Sequence, residues 1–154
     1  MDDVKLFQEK SGAVFRLLGD YKVGALATSV HDHPSVRSVS CIFINGEIFF
    51  QTDRMMAKAG QIRQNNDVAI CFDNIQISGV CEDIGHPFSP ANSDVYSLFQ
   101  KSYPKAAAKY SGMANECFFK ITPYFIQSWA YCDGEPHIEV IDYKKKQYRL
   151  QKYI

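Results

Sequence analysis

"SVRSVSCIFINGEIFFQT", Ser35 to Thr52, is the stretch whose reading decides the fold. Two runs rich in β-branched and aromatic residues flank Asn45-Gly46, the dipeptide a type I′ turn favours because both of its central residues need positive φ. A hairpin is therefore predicted, with strands over 35–44 and 47–52. Pairing Ile44 with Glu47 and stepping outward sets Ser40 against Gln51 and Val39 against Thr52. Alternation places Arg37, Val39 and Cys41 on one face and Ser38, Ser40 and Ile42 on the other.

Upstream, "VGALATSV" reads as a strand and "HDHP" as a turn, so a second antiparallel neighbour precedes the hairpin. Before it, "DVKLFQEKSGAVFRLLGD" aligns Val4, Phe7, Val14 and Leu18 on one helical stripe, with Asp3 as N-cap. Downstream, a polar turn leads into a helix from about Met55 to Asn65, then "NNDVAICF" and "NIQISGVCEDI" give two further strands. Gly79 within the latter marks a bulge or a close backbone approach. "GHPFSP" breaks the chain, and "NSDVYSLFQKSYPKAAAKY" supplies one or two short helices interrupted before Pro104. "ECFFKITP" and "YFIQSWAY" are the last clear strands, "HIEVID" is a short addition, and "YKKKQYR" reads as a solvated tail. The short connections favour antiparallel neighbours over parallel crossovers. The expectation is a mainly β (α+β) fold, a six- to seven-stranded antiparallel barrel with peripheral helices, as one domain over 1–154.

Composition narrows the function classes. Seventeen basic and seventeen acidic residues leave no net charge, which argues against nucleic acid as a partner. No run approaches a membrane span, and "MDDVKLFQEK" lacks a charged and apolar leader, so a cytoplasmic protein is expected. Five scattered cysteines without a CxxC pair read as reduced thiols, not a metal set.

The chemistry concentrates after the hairpin. Lys58 opens a helix, where the dipole disfavours a cation unless an anion sits between it and the free N–H groups of the first turn. The hairpin brings Arg37 and Thr52 to the same region, so one phosphate could be reached by an arginine, a lysine, a hydroxyl and helix-start amides. Each residue also has a plainer reading: Lys58 as a solvated helix residue, Arg37 as a strand ion-pair partner, Trp129 as core. His31 and His33 read as exposed loop histidines, and His86 as a turn residue.

"RSVSCIFINGEIFFQTDRMMAKAGQIRQNNDVAICF", with "ISGVCED" and "FFKITPYFIQSWA", resembles the pyridoxamine 5′-phosphate oxidase-like superfamily of FMN-binding split barrels over about residues 22–131. The resemblance implies that Arg37 and Lys58 bind the FMN phosphate and that Ser38, Val39 and Ser40 run beside the ring and ribityl chain. Gln51 and Thr52 would hydrogen-bond the phosphate or ribityl end, and Asn74 would contact the flavin. Trp129 would come from the second subunit of a homodimer with the flavin at its interface. Departures are visible. Met56 and Ala57 replace the Ser and Arg that flank the lysine in the biosynthetic oxidases, leaving Arg54 as a possible substitute. Glu135 and His137 stand where those oxidases carry an R-x-H motif, so a phosphorylated vitamin would meet an acid. The resemblance thus implies an FMN-dependent oxidoreductase acting on a small organic acceptor, nitro-aromatic or flavin reductase-like, with NAD(P)H as a candidate donor. The same fold also hosts non-catalytic flavin, haem or F420 binding, and no catalytic side chain is assigned.

Overall fold

The structure, a computed structural model, describes residues 2–154. Eight strands follow one another antiparallel: β1 (Tyr21–Val30), β2 (His33–Ile44), β3 (Glu47–Asp53), β4 (Asp67–Phe72), β5 (Ile75–Gly85), β6 (Glu116–Cys132), β7 (Glu135–Asp142) and β8 (Gln147–Lys152). Four helices, α1 (Asp3–Leu18), α2 (Ala57–Gln64), α3 (Ser93–Ser102) and α4 (Pro104–Tyr110), lie outside them. The strand order is β3-β2-β1-β4-β5-β6-β7-β8, and an additional β3–β6 pairing closes the first six into a barrel.

The decisive hairpin forms in the expected register, with Ile44 opposite Glu47 and Cys41 opposite Phe50. Asn45 and Gly46 take φ of 51° and 75°, as the tight turn demands. The ladder stops at Cys41–Phe50, so Ser40 and Gln51 are not paired. Beyond that point β3 stays paired with β6 on its other side, as far as Asp53 with Glu116.

The barrel splits along β6. Residues 116–121 pair with β3, whereas residues 125–132 pair with β7, while β5 runs along the opposite edge from Phe118 to Ser128. Two late strands expected around Pro123 are therefore one strand of 17 residues. Proline survives there because it faces a register shift at Ser78/Gly79, where its missing N–H leaves no regular ladder bond unmade. Gly79 serves both expected roles: it marks the bulge, and a Cβ on it would fall 2.6 Å from Ile121 Cγ2 and 2.7 Å from the Thr122 carbonyl oxygen.

The apolar run of β2 is continuous because both its faces are covered. Cys41 and Phe43 join Leu26, Phe50, Phe72, Ile77 and Ile121 inside the barrel. Ile42, with Phe49 and Phe118, packs outward under Val95, Phe99 and Ala107 of α3 and α4. That second layer holds α3 and α4 over one side of the cavity described below. Helix α1 covers the core with Phe7 and Leu18, aided by Val14, but Val4 lies exposed. Its cap is Asp2, whose Oδ1 accepts from the Lys5 amide at 2.9 Å, in place of the expected Asp3. The basic "YKKKQYR" run is a turn followed by β8 rather than a tail, with Arg149 opposite Val140.

Candidate functional site

Helix α2 begins at Ala57, and its N-cap Met56 makes no side-chain capping bond. Lys58 thus stands in the first turn, beside backbone donors that the helix itself does not use. Its ammonium lies 3.3 Å from Met56 Sδ, and Thr52 Oγ1 approaches the same sulfur at 3.7 Å. A thioether is a weak acceptor, so a hydroxyl and an ammonium converge on a poor partner.

Around them is a cavity of about 210 Å³ lined by Ser38, Val39, Ser40, Gln51, Thr52 and Lys58, together with Asp53, Met56, Phe99, Ala106, Tyr110 and Glu116. Six of the nine residues singled out in the sequence therefore share one space. Arg37 does not line it. Its guanidinium turns to Thr28 Oγ1 (2.9 Å) and Gln61 Oε1 (2.6 Å), and Thr28 in turn donates to Gln61 Oε1 at 2.7 Å. Both partners are neutral, so Arg37 keeps its full charge. That charge reaches Lys58: burial first, then Arg37, pulls the lysine below its ordinary pKa, with Glu116 and Asp53 opposing. Burial likewise lowers Arg37. Among the described residues, none of the five ion pairs involves Arg37, Lys58 or Glu116.

Glu116 was not legible as a site residue. It opens β6 ahead of an apolar run and is only 6% exposed. Burial, then the charge of Asp53, raises its pKa, while the Gln51 amide, Lys58 and His86 pull the other way. Ser111 donates to Gln51 Oε1 at 2.6 Å, which leaves the amide NH₂ of Gln51 for other partners. Arg54, the possible substitute anion ligand, is committed elsewhere, since it forks onto Asp83 at 2.7 and 3.1 Å. That pair raises Arg54 and lowers Asp83.

Asn74 and Trp129 belong to a different place. Asn74 Nδ2 donates to the Trp129 carbonyl at 2.6 Å, and both line a groove of about 300 Å³ with Gln76, Gln127, Ser128 and Ile138. The indole is 37% exposed and lies edge-on to Tyr153 at 5.1 Å. A shallow trough on the outer face of β1 and β4, floored by Ala25, Ala27 and Ala69, runs from Val36 to Asn74. Glu135 is paired with Lys152 of β8 at 2.8 Å, and His137 Nδ1 is 2.9 Å from the Glu135 carbonyl oxygen. No group of three or more potential metal ligands occurs among the described residues.

No family model and no curated protein matches the sequence. Solved structures do match. A pyridoxamine 5′-phosphate oxidase-related, FMN-binding protein from Nostoc punctiforme is 14% identical, with a TM-score of 0.61 over 98% of this chain and 94% of that one. PhzG from Burkholderia lata, in complex with tetrahydrophenazine-1-carboxylic acid, is 13% identical, with a TM-score of 0.63 over 99% and 92%. A haem-binding protein from Mycobacterium smegmatis is 12% identical, with a TM-score of 0.65 over 95% of this chain and 60% of that one. Likeness at such low identity speaks to architecture, and the architecture is that of the pyridoxamine 5′-phosphate oxidase-like split barrels.

Proposed function

We propose that this chain binds FMN and acts as an oxidoreductase on a small organic acceptor. The observation that carries this reading is a pair of neighbouring cations, neither of them in an ion pair among the described residues. Arg37 is held by neutral partners, and Lys58 donates only to a thioether at the start of a helix. A phosphate ester end fits that chemistry: Lys58 and Thr52 would hold its oxygens, and Arg37 would add long-range attraction. At about 210 Å³ the cavity falls short of a whole-cofactor pocket, so it suits the phosphate and the adjoining ribityl atoms. Ser38, Val39, Ser40 and Gln51 would border the ribityl chain and ring.

The remainder of the ligand needs other walls. The Asn74–Trp129 groove, lined mainly by polar side chains, and the apolar alanine-floored trough lie on the same molecule, and a second copy of the chain would cover them. We read the active form as a homodimer with Trp129 facing the flavin of its partner. When bound, the flavin would supply hydride transfer at N5; the chain's residues anchor the phosphate, orient the ring and exclude water. No side chain is required as acid or base for that step. PhzG holds a small cyclic acid in the same fold, which supports a small organic reactant. We favour a nitro-aromatic or flavin acceptor with NAD(P)H as donor. The free thiols of all five cysteines suit the cytoplasm.

A second reading, ligand carriage without turnover, is favoured by the haem-binding neighbour. Against haem, no histidine lines the cavity around Lys58. The absorption spectrum and mass of the ligand released from purified protein decide between FMN, F420 and haem. Bleaching by NAD(P)H and reoxidation by a nitro compound would support catalysis; a chromophore inert to both would overturn it.

A further inference from the structure

The cavity beside Lys58 contains a feature that phosphate anchoring does not explain. Two carboxylates, Asp53 and Glu116, line the space that an anion would enter. Asp53 is partly exposed and accepts from the Met55 amide at 2.7 Å. Glu116 is different. It is buried, has no ion-pair partner among the described residues, and shares its cavity with Asp53. A buried carboxylate with a like charge beside it is costly, and an arriving dianion would add a second repulsion.

We propose that Glu116 makes anion capture in this cavity proton-coupled: the phosphate end of the ligand enters together with one proton, which settles on the Glu116 carboxyl. The proposal rests on the flavin reading only in that the anion lodges beside Lys58. Before an anion enters, the Gln51 amide and then the charge of Lys58 favour ionised Glu116, while Glu116 and Asp53 in turn favour the charged lysine. A phosphate that takes over Lys58 removes that support and replaces it with negative charge. Protonation then turns a repelling oxygen into an O–H donor towards a phosphate oxygen.

The surroundings contain no better proton acceptor. From β3, Asp53 is the charged neighbour, and Gln51 and Thr52 are neutral. From α2 comes Lys58, and from α4 the Tyr110 phenol. On β6 the adjacent Cys117 thiol is buried and pushed up to about 12, so it stays protonated throughout. After β5, His86 is held at both nitrogens: Nδ1 accepts from the Phe88 amide at 3.0 Å, and Nε2 lies 2.9 Å from the Met113 carbonyl oxygen.

The test is calorimetric titration of the full chain with FMN, and separately with inorganic phosphate, in two buffers of different ionisation enthalpy. The range of about pH 7–8 keeps a phosphate monoester mainly dianionic, because its second ionisation lies near 6. Wild type is expected to take up about one proton per FMN where Glu116 starts ionised, with Kd rising up to about tenfold per pH unit. Glu116→Gln, which mimics the protonated carboxyl, is expected to take up none, to lose that pH dependence and to bind more tightly at the upper end. Binding of either anion by wild type without proton uptake overturns the proposal and leaves the flavin reading intact. An unchanged proton count in Glu116→Gln overturns it equally. If neither anion binds at any pH, both readings fall together. Should the variant not fold, the wild-type proton count still decides.

Discussion

The phosphate-end cavity and the Asn74–Trp129 corner are built in opposite ways. The first is assembled within one chain: a hairpin, the turn after it and the first turn of α2 bring Ser38, Val39, Ser40, Gln51, Thr52 and Lys58 around a common space, with α3 and α4 as its outer wall. The second is a groove across the outer strands, walled by Gln76 of β5, Gln127 and Ser128 of β6 and Ile138 of β7, with Trp129 in contact with Tyr131 and Tyr153. Under the proposed flavin reading, charge recognition would be complete in a monomer while ring recognition would wait for a partner. Affinity for a phosphate should then be separable from affinity for a flavin ring.

The largest expected effect is a control on both regions at once. Gly79→Ala drives a methyl group into Ile121 and the Thr122 carbonyl, and should destabilise the barrel by about 2–3 kcal/mol, read from denaturant midpoints. Both sites should fail together in that variant. Survival of either one would break the picture of a shared barrel frame. Next in size, Lys58→Ala should weaken FMN by about 1.5–3 kcal/mol, and inorganic phosphate comparably, without changing oligomeric state. Equal FMN affinity in wild type and variant would remove the cavity from the ligand's path.

Glu116→Gln tests the cavity through stability. A raised folded-state pKa means that protonated Glu116 contributes stability in full below the ordinary glutamate value near 4.3, and that this contribution is lost as pH rises through the folded value. The variant should therefore be more stable than wild type at pH 8 and indistinguishable near pH 4, by thermal or urea unfolding. The opposite trend would mean that Glu116 is stabilised as an anion. The smallest effect is expected at the corner. Trp129→Ala should loosen FMN by about 1 kcal/mol, leave phosphate binding untouched and act only under conditions where the chain is dimeric. A loss of phosphate affinity there would merge the two regions into one.

Much of the first region was legible from local chemistry. Asn45-Gly46 sets a register that needs no distant information, and that register carries Ser40, Gln51 and Thr52 towards the start of α2. The bulge at Gly79 was legible because a glycine inside a strand has few other uses. What escaped depends on distant partners. Arg54 looks like a free cation until Asp83, twenty-nine residues on, is folded against it. Glu116 looks like the polar start of a strand, and only the closure of β3 on β6 brings it beside Gln51 and Lys58. The charges of "YKKKQYR" hid β8, because an outer strand paired on one side tolerates the same lysines as a solvated tail. Pro123 suggested a break where the bulge opposite it permits continuity.

The double duty of β6 has a consequence for how this molecule can diversify. Its first third seals the cylinder against β3, and its last four residues, Trp129 to Cys132, pair with β7 alone. Insertions in the turn after Cys132 would leave that seal untouched, whereas β7 itself is tied to the barrel core through Ile141. A lineage could therefore vary that turn many times over while the cavity beside Lys58, at the other end of the same strand, stays as it was.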